Sequence, residues 1–160
     1  MKSIPPEIYL VLHNIRSSHN VGSIFRTADA AGVAKILLTG YTPAPRDRFG
    51  RTDAQIAKVA LGAEKTMPWE QEKSVGRALA KLAREDFHTI ALEQHPNSRD
   101  YSTVKVFPKT ALILGNEVRG LSKQILSRTD VIAEIPMCGR KESLNVSVAA
   151  GIMLFQLLKS

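Results

Sequence analysis

Cysteine is almost missing from this chain. Cys138 is the only one in 160 residues, which excludes an intramolecular disulfide framework and any cysteine-cluster metal site. That thiol is expected to be packed, with a nucleophilic role as the alternative. The four histidines, His13, His19, His88 and His95, lack ligand spacing such as i, i+4 on a helix, so no metal is expected. No apolar run approaches the roughly 18–20 residues that cross a bilayer, and Met-Lys-Ser-Ile-Pro-Pro-Glu at the start has no signal-peptide apolar region. A cytoplasmic protein without a membrane partner is the expectation. Repeats, linkers and low-complexity runs are also missing, which predicts one α/β domain over residues 1–160. The turn after the first apolar run carries a single glycine, and no P-loop or Gly-x-Ser-x-Gly elbow occurs. Dehydrogenase, NTPase and α/β-hydrolase readings therefore lose their support.

A basic excess is present: the formal charge is +7. Basic proteins of this size often meet polyanions, because neutralising phosphates releases condensed counterions. A basic surface kept for solubility is the alternative. The last quarter of the chain is equally distinctive. A loop with proline, glycine and both charge signs, from Ile135, passes through Ser143-Leu144-Asn145 into a segment with almost no polar face from Val146 to Leu158. A helix apolar all round must be covered on every side, and a partner subunit is the expected cover.

Short apolar runs alternate with helical patterns. Ile8–His13 reads as a buried strand. A helix follows to about Ala31, with Asn20 as the expected N-cap and Val21, Ile24, Phe25 and Ala28 on one face. Lys35–Gly40 is the next strand, and together these make a βαβ unit with a parallel sheet. Residues 41–52 form a loop with Arg46, Arg48 and Arg51; loops of this length are usually functional or disordered. A helix is expected from about Glu70 to Arg84, then strands at Phe87–Leu92, Thr110–Gly115 and Asp130–Ile135, with a short helix from about Ser122 before the last. Ligands of open α/β sheets bind outside the carboxyl ends of the strands, where this sequence concentrates Asn, Arg, Glu, Gly and Ser.

Three blocks occur in order. The first is Asn14-Ile-Arg-Ser-Ser-His-Asn20-Val-Gly-Ser-Ile-Phe-Arg26-Thr-Ala28, and the second Leu112-Ile-Leu-Gly-Asn-Glu117-Val-Arg-Gly-Leu-Ser122. The third runs from Ile135-Pro-Met through Ser143-Leu-Asn145-Val-Ser-Val-Ala149. Together they resemble the motifs of the SPOUT methyltransferases, in the SpoU–TrmH branch of RNA ribose 2′-O-methyltransferases, over nearly the whole chain. The resemblance implies a parallel sheet with flanking helices whose C-terminal segment makes a deep trefoil knot, a rare feature that periodicity alone does not suggest. It further implies S-adenosyl-L-methionine as cofactor, a homodimer, and RNA as substrate. The chain looks like a minimal form without an N-terminal RNA-binding extension, which favours a compact target such as a tRNA loop. A ribosomal RNA site, a base methyltransferase of another SPOUT branch and a catalytically silent RNA-binding dimer are the alternatives.

By position in the family motifs, Arg26 is the catalytic arginine. It acts either as a base after meeting an RNA phosphate or as an electrostatic stabiliser, and the second suits a guanidinium better. Asn20 would orient Arg26 or the ribose, with helix capping as a rival role. Glu117 would hydrogen-bond Arg26 or Asn20. Ser143 and Asn145 fall beside methyl donor and substrate, or cap the last helix. Gly115, Ile135, Leu144, Leu92 and Glu93 are the expected cofactor-binding positions, with core packing as the alternative for Ile135 and Leu144. Arg16, Arg46, Arg48 and Arg51 form the expected RNA-facing rim.

Overall fold

The computed structural model describes residues 4–160. Four apolar runs form the centre of a parallel sheet: β1 (Glu7–His13), β2 (Lys35–Thr39), β4 (His88–Leu92) and β6 (Lys109–Leu114). Their side chains alternate between two cores. Leu10, Leu12, Ile36, Leu38, Ile90, Leu112 and Leu114 face one side, while Val11, Leu37, Ala91, Ala111 and Ile113 face the other. Burial on both faces is what makes such strands read as continuous apolar runs. With β3 (Trp69–Glu72), β5 (Arg99–Asp100) and β7 (Val131–Glu134), seven parallel strands lie in the order β3-β2-β1-β6-β4-β7-β5.

Helices cover both faces. α1 (Ser18–Ala30), α2 (Ala54–Ala60), α3 (Ala63–Thr66) and α6 (Val146–Leu157) lie on the first core. α4 (Val75–Arg84) and α5 (Lys123–Leu126) lie on the second. The chain therefore changes face between α5 and α6, along the loop that follows β7.

Three expectations change. The helix expected from Glu70 begins at Val75, behind the Ser74 cap whose side chain accepts from Arg77 N. Trp69–Glu72 instead pairs with β2, Ile36 opposite Trp69; sheet pairing overrides the helical preference of Glu-Gln-Glu. Asn20 is not the cap of α1: Ser17 is, its hydroxyl accepting from Asn20 N at 3.1 Å. Cys138 is exposed, because the loop after β7 turns few of its residues inward.

α6 buries Ala150, Met153, Leu154 and Leu157 against its own chain. Its other side leaves Val148, Phe155 and Leu158 between 43% and 49% exposed. The apolar helix is thus half covered from within. Among the described residues no helix is long and apolar enough to cross a membrane.

Candidate active site

At the carboxyl ends of β4, β6 and β7 the loops enclose a cleft of about 320 Å³. This is where ligands of open α/β sheets bind. Leu92, Glu93, Gly115, Glu117, Ile135, Ser143 and Leu144 all line it, which brings seven of the expected site residues to one place. Ile135 is half-buried and Leu144 is 39% exposed, so both are walls of the cleft and the core alternative fails for them. Leu114, Met137, Val146 and Ala149 add apolar surface. Among the described residues the charges are all of one sign: Glu93, Glu117, Glu134 and Glu142 line the cleft, and no lysine or arginine does.

Backbone contacts shape the mouth. A Cβ on Gly115 would come within 2.7 Å of the Gly120 carbonyl carbon and 2.8 Å of Leu121 Cδ2. Gly115 is therefore required by the returning loop, which packs on it, as well as by the cleft it borders. Gly120 has φ +63°, and a side chain there would strike the Glu93 carboxylate. Glu93 in turn accepts from Leu121 N at 2.8 Å. From the other wall, Gln94 donates to the Glu142 carbonyl at 2.6 Å.

Asn20, Glu117 and Asn145 form one directed chain of hydrogen bonds. Asn20 Nδ2 donates to Glu117 Oε1 at 3.1 Å, and Asn145 Nδ2 donates to Asn20 Oδ1 at 3.1 Å. Asn145 Oδ1 then accepts from Ser147 N at 2.8 Å as the cap of α6. Each amide is oriented by a partner on both ends, and three segments far apart in sequence, the start of α1, the loop after β6 and the cap of α6, are tied at one point. Glu117 also accepts from Arg16 N at 3.0 Å and Ser17 N at 3.2 Å. Burial pushes its carboxyl up, but the bonds from Arg16, its own N–H, Asn20 and Ser17 outweigh this and hold it below the ordinary 4.5. Of the two partners expected for Glu117, the structure selects Asn20; Arg26 is not bonded to it.

Arg26 lies elsewhere. It is exposed on α1 in a separate recess of about 410 Å³, with Ser23, Thr27, Ala30, Val59 and the exposed Phe155 of α6. Within one chain it does not reach the cleft. Arg16 lines a third recess with Tyr41, Asn116, Val118 and Arg119. Arg48 and Arg51 line a fourth, around Phe49, and Arg46 bridges to Thr52 at the base of the same loop. Their guanidinium carbons sit 4.7 Å (Arg48) and 5.1 Å (Arg51) from the Phe49 ring centre. Asp47 holds this hairpin, accepting from Phe49 N, Arg51 N and Arg51 Nε at 2.9, 3.0 and 2.7 Å.

Sequence reasoning missed Asn116, Gln94 and Glu134. Asn116 is buried and cross-links three loops: its amide donates to Asn14 O and Tyr41 Oη, and its carbonyl accepts from Val118 N and Arg119 N. Its place inside Gly115-Asn116-Glu117 was the available signal. Among the described residues no group of three or more His, Cys, Asp or Glu is placed to hold a metal ion.

Both the sequence and the fold have known relatives. The 23S rRNA (guanosine-2'-O-)-methyltransferase RlmB of Xylella fastidiosa is 35% identical over 152 residues, which is 95% of this chain and 58% of that protein. The chain thus spans somewhat under two thirds of the length of such curated relatives. An AdoMet-bound rRNA methyltransferase from Sinorhizobium meliloti superposes with a TM-score of 0.88 at 29% identity, covering 99% of this chain and 58% of the other. The A. aeolicus TrmH/SpoU tRNA modifying enzyme superposes with a TM-score of 0.83 at 27% identity, covering 96% and 74%. Residues 7–155 match the SpoU rRNA Methylase family along their whole length, and the chain belongs to that family.

Proposed function

We propose that this chain, as one catalytic domain over residues 1–160, transfers a methyl group from S-adenosylmethionine to a ribose 2′-hydroxyl of ribosomal RNA in the cytoplasm. The carrying observation is the acid-lined cleft at the sheet's carboxyl edge, joined to the Glu117–Asn20–Asn145 chain. Four glutamates, with no lysine or arginine among the described residues of the lining, suit a donor whose sulfonium and ammonium outweigh its single carboxylate. The Leu92, Ile135, Met137 and Leu144 side chains suit an adenine ring. The structural relative from S. meliloti is AdoMet-bound. Bound there, the cofactor supplies an electrophilic methyl group, so no metal is called for.

The chain's own residues have to align the ribose and steady its oxygen. Alignment of this kind contributes roughly 7–11 kcal/mol to barrier lowering in favourable cases. Glu117 holds Asn20, and Asn20 holds Asn145 at the entrance to the cleft, with Ser143 beside them. Arg26 grips an RNA phosphate and stabilises negative charge developing on the 2′-oxygen as the hydroxyl proton leaves to solvent. Because Arg26 stands beside the exposed Phe155 and away from its own cleft, it serves the cleft of a second copy in a homodimer. Val148, Phe155 and Leu158 form the apolar part of that dimer face. The knot belongs to the same reading. The 93–98 connection joins strands on either side of β7, near its carboxyl end. The chain leaving β7 changes to the opposite sheet face, which supports its threading under that connection.

Ribosomal RNA replaces the tRNA expectation. Curated relatives at 35% and 31% identity are named for 23S rRNA, whereas the tRNA modifying enzyme is 27% identical. A guanosine in 23S rRNA is the first target to test. The decisive experiment incubates the protein with labelled cofactor and unmethylated 23S rRNA or tRNA, then digests the RNA to nucleosides for mass spectrometry. The reading expects a methyl group on ribose in 23S rRNA. Transfer to tRNA alone would restore the earlier expectation, and a base methyl would favour another SPOUT chemistry. A silent RNA-binding dimer would bind RNA and show no cofactor binding by calorimetry.

A further inference from the structure

Tyr41 is exposed, yet both of its ends are held. Its backbone N–H donates to Asn14 Oδ1 at 3.1 Å, and its phenolic oxygen accepts from Asn116 Nδ2 at 2.9 Å. Asn116 is only 8% exposed, so the anchor is part of the packed interior. Between these two fixings the Tyr41 residue remains 58% exposed. An aromatic ring held in one orientation with a face open to solvent is ordered before any ligand arrives, so binding on it costs little further entropy.

The surroundings specify what fits. Tyr41, Arg16, Arg119, Asn116 and Val118 bound a recess of about 610 Å³. Among the described residues no carboxylate lines it, in contrast to the adjoining cleft with four. The two spaces share Asn116 and Val118, so an occupant of the recess lies beside the methyl donor's position. The backbones of both arginines are pinned: Arg16 N donates to Glu117 Oε2 and Arg119 N to Asn116 Oδ1, the latter at 2.7 Å. Their side chains are exposed on these fixed stems. One flat apolar ring with two flanking guanidiniums matches a flat base joined to phosphates.

We propose that this recess is a nucleotide subsite for the RNA, with a base stacked on Tyr41 and the adjoining phosphates on Arg16 and Arg119. The proposal rests on the RNA-methyltransferase reading above and adds to it the place where the acceptor strand is gripped. Base–aromatic stacking tolerates every base, so Tyr41 positions the strand and leaves sequence choice to other contacts.

The test uses a single-stranded oligoribonucleotide containing 2-aminopurine, whose fluorescence is quenched on stacking, with cofactor affinity measured in parallel by calorimetry. Tyr41→Phe keeps the ring and loses only the Asn116 tether, so it should keep the quench and lose much less affinity than Tyr41→Leu. Tyr41→Leu should abolish the protein-dependent quench and weaken RNA binding by about 5- to 150-fold, the range measured for lost base–aromatic stacking, with cofactor affinity unchanged. Arg119→Ala should weaken binding and flatten its salt dependence. A folded Tyr41→Leu protein that binds and quenches as before would overturn the proposal. Should Tyr41→Leu not fold, unchanged affinity and salt slope in Arg119→Ala would overturn it equally. Failure of the broader reading looks different: natural protein that quenches the probe yet methylates no RNA keeps the subsite and removes the activity.

Discussion

The acidic cleft and the arginine hairpin at 41–52 are both loop-built, but they are held in opposite ways. The cleft is held by bonds between distant segments: Asn20 to Glu117, Asn145 to Asn20, Leu121 to Glu93. The hairpin is held by Asp47 gathering its own neighbours, Phe49 and Arg51. A site made of long-range ties is precise and intolerant, since each tie positions two elements. A locally tied hairpin can change its side chains without disturbing the sheet. The charge division follows the same line, with carboxylates around the proposed donor and guanidiniums where phosphates would arrive.

The largest expected effect comes from Arg26→Ala. It should lower methyl transfer by about 10²–10³-fold or more, as loss of a preorganised stabilising donor does, while cofactor affinity by calorimetry stays unchanged. Normal turnover would remove Arg26 from the mechanism. Next is Gly115→Ala, which tests the intolerance of the cleft directly. The added methyl meets the Gly120 backbone, which cannot swing aside, so denaturant unfolding should show a loss of about 1–3 kcal/mol. Phe155→Glu should dissociate the proposed dimer in sedimentation and reduce activity with it. Should the dimer persist, the exposed face of α6 is not the interface.

The hairpin should behave differently. Arg48→Ala with Arg51→Ala should weaken RNA binding and reduce the slope of log affinity against log salt by about 0.7 per lost phosphate contact with single strands. Unfolding and cofactor affinity should not move. A fall in stability like that of Gly115→Ala would erase the distinction between the two regions.

The smallest effect is on acid stability. Glu117 has its folded carboxyl held below 4.5, so the unfolded chain binds more protons there. Its contribution is complete above that value and fades as pH falls through the lowered folded one. Glu117→Gln should therefore flatten the decline of the melting temperature below about pH 4.5. Asp130 is also lowered, by bonds from Thr89 that outweigh its burial, and should preserve part of the decline in the variant.

Much of this was readable in the chain. The central strands announced themselves because both faces are buried, and the three motif blocks located the cleft. Trp69–Glu72 and Arg99–Asp100 escaped because both are short strands at the sheet's edges, four and two residues long, with little apolar pattern. The helical pattern makes Asn20 look like a cap although Ser17 stands just ahead of it; the motif blocks allow it as a partner of Glu117, and the bond between the two, 97 residues apart, selects that role. Arg26 illustrates the remaining limit. Its position on α1 was evident from the helical period, but its separation from the cleft depends on how α1 packs against α6. Tyr41 carried no signal at all until Asn116 was seen to hold it.

Nucleoside analysis of RNA methylated by the natural protein tests the central claim most directly. The account predicts a cofactor-dependent 2′-O-methylnucleoside from 23S rRNA, with the added mass on the sugar fragment. Added mass on the base, or no transfer to any RNA by protein that binds the cofactor, would contradict it.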